Sequence, residues 1–567
     1  MIRVATHFLT IENSSSIFLF RYSLTPPAGE SYLYEKRYAE SIHQDSGKSH
    51  ASILKAMNDR TALLTMLRRK LLHISRETRR TCRAPSAGKK GYGIFRAIIL
   101  SMIVPHGITP PGPVEFQNEE LLTMPTRTSI MLSVIPAEEA DMYVEYGPEE
   151  NLYDHVTDTL TRESDAPALF LLDGLSPGES FYYRVRAKRP SEAEFTARPE
   201  FSSRTLRSNN SPCSFAFVAD SHVMRAWAEA TCGDYPEGME FFNRTMDNIL
   251  QSNVDFIILG GDEANTHAGG LIDCVFEGES TGSNTVINQR QAELRYIITR
   301  KAYERICNRI PLFLVLGNHE GEAQFVSDQC YHYEDTAQYS MNARMKYIPT
   351  GIFELGYSSF VSADALFVII DPFRYTPSVP EIPDDWTLGD TQLQWLEETL
   401  ANSEEAWKFI FSHHLVGGFP YIECYQYGRG GVNATMTGEK DAPFLGEQEM
   451  IHQMMKAHGA GIFFYGHDHV FSMSEKWSGS EPEGIYYVVT GKPSGGFPKW
   501  SHAEEFHDAY DYDDDGIGDF LGDSGFTRVV VDGNRLTIQY IKTDIDDEFE
   551  NGSVIFERSI IRDERQK

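Results

Sequence analysis

The chain has 567 residues, 41% hydrophobic and 12% aromatic, which is enough for about three domains with sizeable cores. Its 82 acidic and 51 basic side chains leave a net charge of −31, which argues against nucleic acid as a partner. The imbalance is uneven: residues 1–100 carry 17 basic and 7 acidic side chains, a net +10, so the remainder carries −41.

Residues 1–107 have no sustained hydrophobic period and are expected to be a poorly ordered basic region. No run of 18 apolar residues occurs, so no membrane-spanning helix is expected. The first thirty residues lack the basic-then-apolar pattern of a plain signal peptide. "KKGYGIFRAIILSMIVPHG" (89–107) comes nearer to it. One reading is an export signal with its start codon downstream, near Met66, giving an extracytoplasmic protein, secreted or periplasmic. The other is a short apolar helix in a basic tail, compatible with a cytoplasmic protein. None of the seven cysteines forms a C-x-x-C, and six lie in the acidic body (Cys213, Cys232, Cys274, Cys307, Cys330, Cys424). Disulfides and buried thiols both fit that count.

"ITPPGPVEF" (108–116) reads as a linker. Short alternating pieces follow, "TSIMLSVI", "DMYVEYG" and "LLDGLSPGESFYYRVRAK", separated by polar turns. Strands at this spacing predict a β-sandwich over 108–208. The Leu-x-Pro-Gly-x-x-aromatic pattern resembles fibronectin type III domains, with Phe181 where their corner tyrosine usually sits.

From 209 to 567 apolar runs alternate with helix-like stretches. The runs are "SFAFVAD", "VDFIILGGD", "PLFLVLGNHE", "ALFVIIDP", "WKFIFSHH" and "GIFFYGHDH". Between several of them lie helical patterns at 239–252, 291–307, 391–403 and 447–459. Short continuous apolar runs so bounded read as strands buried on both faces of an α/β sheet. "GIYYVVTG" and a hairpin at Asp532-Gly533 complete the sheet system.

Five of the six runs end in metal-ligand types: Asp220-x-His222, Asp262, Asn318-His319, His413-His414 and His467-x-His469. Carboxyl ends of such strands face a common crevice, and imidazole with carboxylate suits Zn, Fe or Mn. Two cations need a shared ligand, and the lone Asp262 after Gly260-Gly261 suits that role. Gly260, Gly261, Gly317 and Gly466 let the backbone turn beside the ligands. His467 and His469, two apart, would lie on one side of an extended chain, with Asp468 pointing the other way.

The ordered set D-x-H, G-G-D, G-N-H-E, S-H-H, G-H-x-H resembles the calcineurin-like metallophosphoesterase superfamily over residues 211–545. With a fibronectin-like domain in front, it resembles purple acid phosphatase-type enzymes. The resemblance implies a four-layer α/β/β/α metallophosphoesterase sandwich preceded by a small all-β sandwich. It implies hydrolysis of a small-molecule phosphoester, a phosphomonoester first, by a hydroxide bridging two transition metal ions, divalent or mixed-valence. Phosphodiesterase and nucleotidase are the alternatives on the same site, and a binding or adhesion protein with a degenerate enzyme domain is the alternative of another class. Asp220, His222 and His469 would hold the first metal, Asp262 would bridge, and Asn318, His413 and His467 would complete the second. His319 would be the general acid or transition-state stabiliser. His413 is preferred to His414 because the superfamily ligand lies two before a proline, a position held here by Leu415. His414, Asp468, Asn265 and His267 remain candidates for substrate contact or support of the ligands. Asn265 stands where purple acid phosphatases have their iron-binding tyrosine, so a colourless enzyme without obligatory ferric iron is expected.

"DYDDDGIGD" (511–519) matches the early positions of a calcium loop with Asp511, Asp513, Asp515 and Asp519. Position twelve is Gly522 rather than Glu, so an acidic solvated loop fits equally.

Overall fold

The computed structural model describes residues 4–7, 21–24, 112–223, 226, 237–264, 288–320, 322, 336–351, 356–373, 387–415, 447–478, 481–495, 521–522, 524–543 and 550–562. The stretch 89–107, Asn265, His267, the acidic loop 511–519 and five of the cysteines lie outside these residues. The chain divides into two compact units, Met1–Thr109 and Pro110–Lys567. In the first, β1 (Val4–His7) pairs antiparallel with β2 (Arg21–Leu24), where the sequence suggested no element.

The second unit opens with β3 (Leu121–Thr123), β4 (Ile130–Val134), β5 (Ala140–Gly147), β6 (His155–Val156), β7 (Leu160–Arg162), β8 (Ala168–Leu172), β9 (Ser180–Lys188), β10 (Thr196–Ala197) and β11 (Phe201–Arg204). These form two facing layers: β3–β4–β8, and a sheet centred on β5 and β9 with β6, β7, β10 and β11 at its sides. Period-two alternation sends Phe181, Tyr183, Val185 and Ala187 of β9 into one core with Met142, Val144 and Tyr146 of β5.

The α/β body follows: β12 (Cys213–Val218), α1 (Glu237–Gln251), β13 (Phe256–Leu259), α2 (Gln289–Ala302), β14 (Leu312–Leu314), α3 (Thr336–Tyr347), β15 (Ser358–Ser362), β16 (Ala365–Ile369), α4 (Gly389–Ala401), β17 (Trp407–Phe411), α5 (Glu447–His458), β18 (Ile462–Tyr465), β19 (Ser472–Ser478), β20 (Glu481–Val489), β21 (Gly525–Asp532), β22 (Arg535–Lys542) and β23 (Val554–Ile561). One sheet runs β23-β22-β21-β12-β13-β14-β3-β4-β8, the other β15-β16-β17-β18-β20-β19. The all-β layer is therefore joined edge to edge with the α/β body, through β3 and β14 at Leu312 and Thr123.

The two sheets meet through aromatic rings. Phe215 of β12 lies 5.3 Å from Phe367 and 5.9 Å from Phe409, Phe411 and Phe464 of the facing sheet. Outward-facing Val368, Ile410 and Phe463 pack instead with Leu396 and Leu400 of α4 and Ile451 and Met455 of α5. Phe242, Met246 and Ile249 of α1 and Tyr296 of α2 pack with the first sheet's residues. The result is a mixed four-layer α/β/β/α body. Lys408, on the outward face of β17, donates to Leu400 O and His458 O, both at 2.9 Å, and so caps the C-terminal ends of α4 and α5.

Candidate metal centre

Central parallel strands of both sheets end on one side, and their following turns carry the predicted ligands. Asp220 and His222 follow β12, Asp262 follows β13, Asn318 and His319 follow β14, His413 and His414 follow β17, and His467 and His469 follow β18. Among the described residues, four donor groups lie with their ligand atoms within 4.8 Å of one another: Asp220/His222/His469, His222/Asp262/His319, Asp220/Asp262/His413, and His413/His414/His467.

Asp262 sits at the centre. Its Oδ1 accepts the His319 backbone N–H at 2.8 Å. That leaves Oδ2 facing His413 Nε2 at 3.2 Å, His319 Nε2 at 3.7 Å and His222 Nε2 at 3.9 Å. Asp220 divides its oxygens likewise. Oδ2 takes the His467 backbone N–H at 2.7 Å. Oδ1, fully buried, accepts no well-formed hydrogen bond, and its nearest donors are His469 Nε2 at 3.4 Å and His413 Nε2 at 3.8 Å. A buried carboxylate oxygen left this way among imidazole nitrogens fits a cation. His413 Nδ1 meets Gly260 O at 2.8 Å, so Nδ1 carries a proton and Nε2 is the ring nitrogen turned toward Asp262. His414 Nε2 lies 3.3 Å from Asn318 Oδ1, and its ring is 3.8 Å from that of His467. His414 thus touches two predicted ligands. Asp468 is buried and bonds through its N–H to Gly466 O. The sixth strand end, Asp371, is tied to α4: its N–H donates to Gln392 Oε1 and its carbonyl accepts from Gln392 Nε2.

Burial disfavours charge on Asp220, yet His413 and His469 hold its carboxyl down to about 2. Burial likewise opposes the charge on His413, and Asp262 with Asp220 outweighs it, holding the imidazole up at about 10. Asp262 stays well below the ordinary carboxylate range against burial, through His413 and His319. His222 lies well below its ordinary value through burial, then His469 and Lys492. His319 is lowered by burial despite Asp262, with 28% of its side chain exposed.

The backbone differs from the extended geometry that the sequence suggested for the last motif. Asp220, His222, Asp262, His467 and His469 all adopt positive φ, between 42° and 74°. His467 and His469 reach the same site from a left-handed turn after β18, not by strand alternation. Of the four glycines, only Gly261 has positive φ. Gly317 is required for close approach, because a Cβ there would collide with Asp262 and Glu320. Non-glycine residues held in this conformation are strained and cluster at functional sites.

Two carboxylates escaped the sequence reading. Glu320, inside the quoted G-N-H-E, is fully buried and accepts four backbone N–H groups; burial and Asp262 raise it to about 7. Glu263 accepts from Ser221 Oγ and from Tyr303 Oη at 2.5 Å, and burial raises it well above its ordinary value. No local pattern distinguishes Glu263 from a surface residue following Asp262.

An α/β/β/α body whose strand ends gather carboxylates, an amide and imidazoles defines a metallophosphoesterase fold. Residues 213–471, a little under half of the chain, match the calcineurin-like phosphoesterase family model, which supports a phosphoric ester hydrolase. Over 267 residues the chain is 21% identical to tartrate-resistant acid phosphatase type 5 of Rattus norvegicus, spanning 46% of this chain and 69% of that protein. Its Homo sapiens counterpart is 20% identical over 247 residues, 42% of this chain and 66% of its own length. Two solved structures share the fold. PhoD aligns with a TM-score of 0.57 at 13% identity, covering 80% of this chain and 90% of that one. The purple acid phosphatase PPD1 from yellow lupin (Lupinus luteus) seeds aligns with a TM-score of 0.54 at 15% identity, covering 79% and 75%.

Proposed function

We propose that the chain hydrolyses phosphomonoesters at a site for two transition metal ions, Fe, Mn or Zn. The observation that carries this is the convergence of five strand ends on Asp262 Oδ2 and the unmatched Asp220 Oδ1. Asp220, His222 and His469 would hold one cation, Asn318, His413 and His467 the other, and Asp262 would be shared. Asp262 Oδ1 is committed to the His319 N–H, so Oδ2 is the oxygen it turns toward the surrounding imidazoles. Two such cations supply Lewis acidity, acidifying water and drawing charge from phosphoryl oxygens.

The remaining work belongs to the side chains. His319, partly exposed at the rim and with its pKa lowered, is neutral near pH 7 and serves as a hydrogen-bond donor to the phosphoryl group or leaving oxygen. His414 braces Asn318 and His467. The strained turns hold their donors before substrate arrives, so little reorganisation is needed at the transition state.

The test is hydrolysis of p-nitrophenyl phosphate against its bis ester, with Mn, Zn, Fe and Ca each supplied to metal-free protein. Faster monoester turnover with a transition metal is expected. Faster diester turnover would reassign the chain as a phosphodiesterase, and no turnover with any metal would favour a binding protein.

Two further readings accompany this one. The three-stranded and β5–β9 layers support a fibronectin type III-like module over 108–208, ahead of a catalytic domain at 209–567. The pattern at 89–107 supports an extracytoplasmic location; mass spectrometry of the mature N-terminus tests it, and an intact Met1 would overturn it.

A further inference from the structure

The turn carrying Asp262 and the turn carrying Asn318 and His319 leave different strands, yet both must present donors to one point. Glu320 joins them. Its Oε2 accepts the N–H groups of Gly317 at 2.6 Å and Asp262 at 2.9 Å. Its Oε1 accepts those of Glu263 at 2.6 Å and Ala264 at 3.1 Å. The side chain is fully buried, so all four donors are satisfied within the protein and none by solvent. The link is reciprocal, because Asp262 Oδ1 takes the His319 N–H in return at 2.8 Å. Gly317 must lack a Cβ for this clasp to close.

We infer that Glu320 is the positioning residue of the centre: by clasping the turns after β13 and β14, it sets Asp262 and Asn318 where they would hold metal together. The inference rests on the two-metal reading and adds to it a residue that binds neither metal nor substrate. A carboxylate is needed because these four backbone groups are all donors. Glutamine would place an NH₂ against two N–H groups, and aspartate would fall one methylene short. Loss of such a supporting contact lowers metal affinity about 10–100-fold.

The experiment compares wild type, Glu320→Gln and Glu320→Asp, prepared metal-free and titrated with Mn²⁺ by calorimetry. Thermal melting before metal addition checks the fold, and electron paramagnetic resonance follows loading. Wild type should take up two Mn²⁺ and show an exchange-coupled signal from the pair. Glu320→Gln should bind at least one Mn²⁺ about 10–100-fold more weakly and show isolated Mn²⁺ resonances, with Glu320→Asp between. Wild-type affinities and coupling in both variants would overturn the inference, while failure of wild type to bind Mn²⁺, and Zn²⁺ or Fe²⁺ in parallel titrations, would instead overturn the two-metal reading. Should the variants not fold, hydrogen exchange on wild type decides. The amides of Asp262, Glu263, Ala264 and Gly317 should be protected together and exchange as one group, and independent fast exchange would overturn the clasp.

Discussion

At the scale of single residues, the ligand set was legible because it consists of rare residue types at strand ends. Five motifs in order carried more information than any one of them. What the sequence hid was the means of presentation. Asp220, Asp262 and His467 reach their places through positive φ, which favours Gly or Asn, so no local preference announces it. The distinction between ligand and donor also gives two contrasting variants. Asp262→Ala and His467→Ala should lower kcat/KM for p-nitrophenyl phosphate by at least about 10³-fold and reduce bound metal. His319→Ala should lower kcat by about 10²–10³-fold while metal content, read by elemental analysis, stays at wild type. Loss of metal from His319→Ala would make that residue a ligand instead.

The cysteines illustrate the same limit, since their number left disulfides and thiols equally open. Cys213 and Cys307 are free and buried, and burial pushes both thiols up to about 12. A thiol raised this far favours the native state fully below its unfolded pKa, near 9, and that contribution is lost as pH rises toward 12. At pH 8 the thiolate fraction is of order 10⁻⁴. Peptide mapping after iodoacetamide treatment should therefore find both positions unmodified in native protein at pH 8 and modified in denaturant. Native labelling would contradict their burial.

At the scale of elements, long periodic helices and continuous apolar strands were legible, and weakly patterned ones were not. α1, α2, α4 and α5 fall where their apolar spacing placed them. α3 was missed because "TAQYSMNARMKY" lacks a clear apolar stripe; it packs against α2 and holds the buried Arg344, paired bidentately with Glu322. Arg300 of α2 is equally invisible in sequence, an arginine on a polar helix. It is fully buried, with its guanidinium donating to Ser133 O and Oγ, Tyr347 O and Glu119 O. Burial lowers it to about 10, so it remains charged at neutral pH. Arg300→Met should cost about 2–4 kcal/mol, because it leaves several buried acceptors unmatched. A lowered urea midpoint would show this, whereas Arg305→Met, which breaks an exposed pair with Asp247, should shift it little.

At the scale of the molecule, alternation of strands and helices gave the layers, but not the junction between the all-β and α/β parts. That junction depends on pairing between residues nearly two hundred positions apart, which no local pattern encodes. β3 lies on β14, with Leu122 N–H donating to Cys307 O at 2.8 Å and Thr123 Oγ1 to Pro349 O at 2.9 Å. Tyr183, fully buried in the sandwich, donates to Asn308 O at 2.7 Å. Arg204 and Arg207 both pair with Asp255, beside β13. Removing residues 112–208 would uncover the edge of β14, whose Leu312, Phe313 and Leu314 are all buried, next to the turn carrying Asn318. A hydrophobic strand edge exposed in this way templates aggregation, and the uncovered strand is the one that positions Asn318. A chain of residues 209–567 should therefore elute from size exclusion as aggregate, or as monomer with weakened Mn²⁺ uptake, while the full chain under the same conditions does neither. A monomeric fragment with the full chain's metal affinity and turnover would show that the sandwich is an appended module, and that β14 needs no partner to hold its side of the centre.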